Sequence, residues 1–279
     1  MFYYEGGLKY DQADYLQSII SFENSVKTFH PDAEKYNDGF AIGNVYISLG
    51  LSYSMINDWV NAVVNLKRST NYLNVNSNKY YSIAIYASLA EAYSRLNRLN
   101  ESKTYLKKSD SLIHLFPGPG GKTFYFIAKG ENALSAKNYS DALTATLSSL
   151  EYARQWGDSA FVAKAMESVA RTYEALGKYD EAISYLMLSY GIAVKYNYMP
   201  QRKETLKELF QLYKGHDQSQ KALVAAEELF IISDSLAVVQ NNNRRIIMDA
   251  VFESENKEKK ISVLESGKRI TTVAVETKK

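Results

Sequence analysis

Residues Tyr46 to Ser69 read YISLGLSYSMINDWVNAVVNLKRS, with large side chains at Tyr46, Leu49, Tyr53, Trp59 and Leu66 and small ones at Gly50, Ala62 and Ser69. Spacings of three and four on either side of Asn57-Asp58 lay one apolar stripe on each of two helices, with the polar pair as the turn. Such stripes are buried when the helices pack antiparallel. The small residues let the backbones approach, and the aromatics fill the space around that contact.

The order returns every forty residues. Serines stand at 69, 109, 149 and 189; Ala62 is followed by Ser102, Ala142, Ala182 and Ala222; Tyr46 is followed by Tyr86, Phe126, Met166 and Leu206. Tyrosine holds positions 53, 93, 173 and 213, and short polar breaks recur at Asn97-Arg98, Lys137-Asn138 and Gly177-Lys178. A period of this size means one supersecondary unit stacked on copies of itself, so prominent residues are stacking positions before they are chemistry. Five copies cover roughly residues 40 to 236, and a partial sixth, Tyr15-Ser18-Phe22-Ser25, precedes a longer loop at His30 to Asp38. Inter-repeat loops are expected at Asn74 to Lys79, Phe116 to Lys122 and Asn197 to Gln201.

The series Tyr46-Leu49-Gly50-Tyr53-Trp59-Ala62-Leu66-Ser69, matched again by Val169-Ala170-Tyr173-Tyr179-Ala182-Leu186, resembles the tetratricopeptide repeat. The period exceeds that family's usual length of about 34, and the pattern's final proline is absent. The resemblance implies an all-α fold, an α-α superhelix over residues 1–236, continued by an extended C-terminal helix.

Beyond Asp234-Ser235-Leu236 no glycine or proline occurs until Gly267, which predicts a charged connector helix over 237–268 and a tail over 269–279. A heptad from Leu236 puts Val239, Asn243, Ile246 and Ala250 on its seam, then Glu253, Lys257 and Lys260 before Leu264. Two readings stand side by side: a connector that joins two copies as a homodimer, and a lone solvated helix. Repeats of this long type followed by a charged helix are similar to the sensor half of bacterial membrane-anchored histidine kinases and transcriptional regulators. That resemblance implies a ligand-sensing fragment in the periplasm; a cytoplasmic adaptor is the alternative.

The 33 basic and 31 acidic residues nearly cancel and the lysines form no stripe, so a nucleic-acid partner is not expected. Without cysteine the 279-residue chain has no disulfide, thiolate metal site or cysteine nucleophile. No apolar run reaches the roughly 18 residues of a bilayer span, so insertion of this segment in a membrane is not expected either. Gly121-Lys122-Thr123 ends like a phosphate-binding loop, but position 116, where that motif needs glycine, is phenylalanine. An inter-repeat loop accounts for it. His30, His114 and His216 lack a second imidazole at helical spacing, and Glu227-Glu228 point about 100° apart, so neither a metal site, a cofactor site nor an acid/base couple is expected.

A non-catalytic module remains, with the first helix of each pair lining a concave face. Its candidate contacts to a peptide or protein are Asn44, Ser48 and Met55, then Ser88, Glu91 and Arg95, then Glu131, then Lys164, Glu167, Ser168 and Arg171. Lys164, Glu167 and Arg171 are also spaced to satisfy one another along one helix. The alternative is a structural scaffold whose repeat array has no ligand of its own.

Overall fold

The computed structural model describes Gly7 and residues 15–28, 39–72, 79–115 and 118–238. The chain divides into two compact units, Met1–Ser233 and Asp234–Lys279. The connector and tail expected over 237–268 and 269–279 lie, apart from residues 237 and 238, outside the described residues.

The first unit is a solenoid of helices. A single helix, α1 (Tyr15–Thr28), precedes paired helices α2 (Gly39–Met55) and α3 (Trp59–Tyr72), α4 (Lys79–Arg95) and α5 (Leu99–Ile113), α6 (Pro119–Ser135) and α7 (Tyr139–Trp156), α8 (Ser159–Ala175) and α9 (Tyr179–Lys195). The last pair is α10 (Met199–Gly215) and α11, which begins at 219. Each pair packs on itself and on the next, and consecutive first helices from α2 to α10 also touch one another.

One backbone device sets the forty-residue ruler. Residues 57, 97, 137, 177 and 217 all have positive φ, between 55° and 73°, although only Gly177 among them lacks a Cβ. Each ends the first helix of its pair by a Schellman motif: Asp58 N–H bonds the Tyr53 carbonyl at 2.9 Å, Arg98 that of Tyr93 at 2.8 Å, Lys178 that of Tyr173 at 2.9 Å and Gln218 that of Tyr213 at 3.0 Å. The polar breaks in the sequence are these turns. Between pairs, Gly157 (φ 82°) closes α7, and the Asp158 carboxylate then accepts from the N–H groups of Ala160 and Phe161 to start α8.

The small residues do what their spacing predicts. A Cβ on Gly50 would stand 2.4 Å from Leu66 Cγ, and one on Gly130 would stand 2.5 Å from Thr146 Cγ2. Ser69, Ser109, Ser149 and Ser189 are fully buried; two of them cross to the partner helix, Ser109 to the Ile83 carbonyl at 3.3 Å and Ser189 to that of Ala163 at 3.1 Å. The partial sixth copy is α1, whose Tyr15, Ser18, Phe22 and Ser25 are all buried, with Ser18 bonded to Ser52 of α2 at 3.1 Å.

First and second helices differ in burial. In α4 every residue from Ala87 to Ser94 is buried, whereas α3 buries only Ala62, Val63, Asn65, Leu66 and Ser69. The first helices are flanked on three sides, the second on fewer.

The loop expected over Phe116 to Lys122 is shorter than its glycines suggested. Pro119 starts α6, where its missing N–H is harmless and its φ suits the helix. Gly121 lies inside that helix against Ile83 and Ile113, and the Thr123 hydroxyl donates to the Pro119 carbonyl at 2.9 Å. These groups form helix backbone and core, not an anion cradle.

Gly50→Ala and Gly130→Ala are each expected to destabilise the fold by about 1–3 kcal/mol, because overpacking outweighs the better helix propensity of alanine. A urea titration followed by circular dichroism checks this; unchanged midpoints would show that Leu66 and Thr146 yield freely.

Candidate functional site

The faces of the first helices left free by pair packing meet one another. In α4, Glu91 is 4% exposed; in α6, Glu131 is 1% exposed; in α8, Glu167 is 6% exposed. Carboxylates this deep need partners, and α4, α6, α8 and α10 supply them in a ladder. Arg95 of α4 lies 3.5 Å from Glu131 of α6; Arg171 of α8 pairs with the same Glu131 and, at 3.3 Å, with Glu208 of α10. Ser168 donates to Glu131 at 3.1 Å. Lys164 of α8 passes over α6 to reach Glu91 of α4 at 2.9 Å.

Trp59, first residue of α3, caps the ladder, with the Arg95 guanidinium 5.1 Å and the Lys164 ammonium 5.7 Å from its ring centroid. Where these groups meet Met55, Gln201 and Glu204, the cavity that remains measures about 10 Å³, the room of a single water.

The carboxylates respond differently to this setting. Burial opposes ionisation of Glu131, but Arg171 and Arg95, with hydrogen bonds from Arg171 and Ser168, outweigh it and lower its pKa to about 2. Glu167 has hydroxyl partners in Thr205 and Ser189; burial, then the charge of Glu208, raises it to about 7. Burial also raises Glu208, against the pull of Arg171.

The structure thus joins Arg95, Glu131, Ser168 and Arg171 by ion pairs and hydrogen bonds, pairs Lys164 with Glu91, and gathers Glu91, Lys164, Glu167 and Arg171 with Met55 around the same small cavity. The charges of α8 pair between helices rather than along their own. Ser88 is buried in α4, while Asn44 and Ser48 lie half-buried in α2, apart from the ladder; Asn44 Oδ1 has no hydrogen-bond partner among the described residues. Sequence reasoning missed Trp59, Gln201, Thr205 and Glu208. One more step of the ruler finds Glu208, forty residues after Ser168 and eighty after Ala128, on the face already singled out.

The ladder lies on the meeting faces of α4, α6, α8 and α10. Its acids and bases are paired with each other, and among the described residues no cluster of His, Asp or Glu is arranged to hold a metal. His114 caps the end of α5, and His216 packs against the Tyr179 ring at 3.8 Å; His30 lies outside the described residues. Among the described residues no helix is long and apolar enough to cross a membrane.

The tetratricopeptide repeat model matches residues 83–113 and 163–193, the pairs α4/α5 and α8/α9. The chain therefore carries tetratricopeptide repeats. No curated protein matches the sequence. Among solved structures, a Rap protein complexed with competence and sporulation factor superposes with TM-score 0.61 at 18% identity, covering 81% of this chain and 66% of that one. The aspartyl phosphate phosphatase F of Bacillus subtilis gives 0.54 at 12% identity, with 74% of this chain and 54% of that one covered. A signal transduction ATPase with numerous domains and a tetratricopeptide repeat sensor, from Pyrococcus horikoshii, gives 0.51 at 20% identity, covering 84% and 41%. The chain spans less than two thirds of the length of each, and the likeness is one of fold.

The pKa values fix a pH profile. Glu131 stabilises the fold above the ordinary carboxylate range near 4.5, and that contribution is lost as pH falls toward 2. Glu167, whose folded pKa is raised, favours the fold fully below about 4.5, and the benefit is lost as pH rises through 7. Urea midpoints should therefore fall between pH 5 and 7.5, with a slope approaching about 1.4 kcal/mol per pH unit. Glu167→Gln should reduce that fall, the remainder coming from Glu208, which is raised as well, and an unchanged profile in this variant would show that Glu167 does not titrate there. Glu131→Gln, which leaves Arg95 without its charge partner and Arg171 with Glu208 alone, should instead cost about 3–5 kcal/mol at neutral pH.

Proposed function

We propose that this chain is a non-catalytic protein-interaction module that binds a peptide or protein segment along the wall formed by α4, α6, α8 and α10. The observation that carries this reading is convergence. Three first helices, α4, α8 and α10, bring Arg95, Lys164, Arg171 and Glu208 to one surface, each side chain 11–26% exposed, beside the Trp59 ring. A carboxylate on a bound segment would reach the Arg171 guanidinium, 17% exposed, in competition with Glu208. The Rap protein that this fold resembles was solved with a bound factor, which supports a peptide ligand by analogy of architecture. A sensor role in a membrane-anchored bacterial signalling protein, on the periplasmic side, belongs to the same proposal and rests on the long repeats and charged C-terminal segment.

One observation favours the scaffold reading. The cations of the wall already have internal partners and the cavity holds about 10 Å³, as expected of a spacer whose inner face is sealed.

The two tryptophans separate these readings, because Trp59 stands on the wall whereas Trp156 packs against Phe124 and Phe161. A peptide array screened against the chain should yield ligands that shift the Trp59 indole N–H signal in NMR and leave that of Trp156 in place. Binders that leave the Trp59 signal in place, or no binders at all, would leave the scaffold.

A further inference from the structure

An open cavity of about 650 Å³ lies among α9, α10 and α11, lined by Met187, Tyr190, Leu206, Tyr213, Val224 and Ala225. Its size falls within the range of roughly 300–1,000 Å³ typical of small-molecule sites. The ruler that organises the chain says what belongs there. In the pair α4/α5, Tyr105 stacks on Tyr93 with centroids 5.6 Å apart and planes at 11°; in α8/α9, Tyr185 stacks on Tyr173 at 5.6 Å and 20°. The last pair keeps the first ring of that stack, Tyr213, but the position forty residues after Tyr185 is Ala225.

The slot keeps one apolar wall and gains a cation, the Lys221 ammonium standing 5.6 Å from the Tyr213 centroid, with Tyr213 7% and Ala225 5% exposed. Tyr105 also packs on Tyr86 at 6.1 Å, and the residue at the register of Tyr86, Leu206, again walls the cavity. In α6/α7 both stacking positions are alanine, Ala133 and Ala145, so neither ring is present. In α2/α3, Tyr53 faces Asn65 in register, but its hydroxyl donates to Glu23 at 2.7 Å. The Tyr213 hydroxyl instead reaches the Met187 sulfur at 3.7 Å, a weak acceptor.

We propose that this cavity is a binding site for a planar aromatic ring, which stacks on Tyr213 in the place that Tyr105 and Tyr185 take in their own pairs. A polar substituent on the ring has a partner at the rim. Tyr190 and Arg202 both donate to Oε1 of Glu228, which holds that carboxylate in place and leaves Oε2 to accept from a phenol hydroxyl or an indole N–H. Two sources carry this chemistry, a free phenol or indole and the aromatic side chain of a bound peptide. The site is independent of the charged wall.

The test uses the full chain with two probes, p-cresol and the blocked tripeptide acetyl-Ala-Tyr-Ala-amide, read by the methyl NMR signals of Met187, Val224 and Ala225. At least one probe at millimolar concentration should shift these methyls saturably. Stronger binding of p-cresol assigns the site to free aromatics, and stronger binding of the tripeptide assigns it to a side chain. Ala225→Tyr, which supplies the missing ring from within, should weaken binding at least about tenfold and raise the melting temperature by about 2–4 °C. If that variant does not fold, Ala225→Leu fills the same slot and should block binding equally. Failure of both probes to move these methyls, or a slot-filling variant that binds as tightly as the parent, overturns the proposal.

Discussion

The architecture depends on a left-handed residue at the end of the first helix of every pair. Asn57, Asn97, Lys137, Gly177 and Asp217 occupy a conformation that costs an L-residue with a Cβ about 1–2 kcal/mol, and in four of the five it is adopted without glycine. The cost is tolerated because the turn it makes is fixed from both sides. Upstream, the Schellman bond returns to the carbonyl at position 53, 93, 133, 173 or 213; downstream, the second helix must bring its small residue, Ala62 or its equivalents, against the first. Were this residue to relax, the first helix would run on and its partner would lose the face against which it packs.

Close approach is the second half of the constraint. Gly50 and Gly130 admit Leu66 and Thr146 to distances that a methyl group would occupy, and this contact, with its alanine counterparts, pulls each pair together. First helices are then near enough to one another for their remaining faces to meet, and charges placed there become buried. The ladder from Arg95 to Glu208 follows from the packing and could not form on a looser stack. Its internal balance explains why one glutamate, Glu131, is strongly acidic while Glu167, a turn of helix from Arg171, holds its proton to near neutrality.

Most of the fold was legible because it is written repeatedly. Turn positions, small residues and buried serines each recur at one spacing, so an error at one copy is corrected by the next. The inner wall was legible only as a face. Spacing along α8 lets Lys164, Glu167 and Arg171 satisfy each other, but the partners that matter, Glu91 and Glu131, are 73 and 40 residues away, and no local pattern announces them. Pro119-Gly120-Gly121 misled in the opposite sense, since a composition typical of loops here begins a helix and packs beside Ile83. Glu208 was within reach of the ruler, whereas the role of Trp59 depends on the distance between α3 and α8, which a one-dimensional pattern does not contain.

The bond from Lys164 to Glu91 skips a whole pair, and it gives the array a memory longer than one unit. In a simple solenoid each brick answers only to its neighbours, so bricks can be duplicated or deleted with a local effect. Here, excising α6 and α7 would bring α8 next to α4 and strand Arg95 and Arg171 without Glu131, while inserting a further pair would carry Lys164 beyond the reach of Glu91. The number of repeats in this segment is therefore fixed by charge as well as by length, and the stretch from α4 to α10 behaves as one indivisible block within an otherwise modular chain.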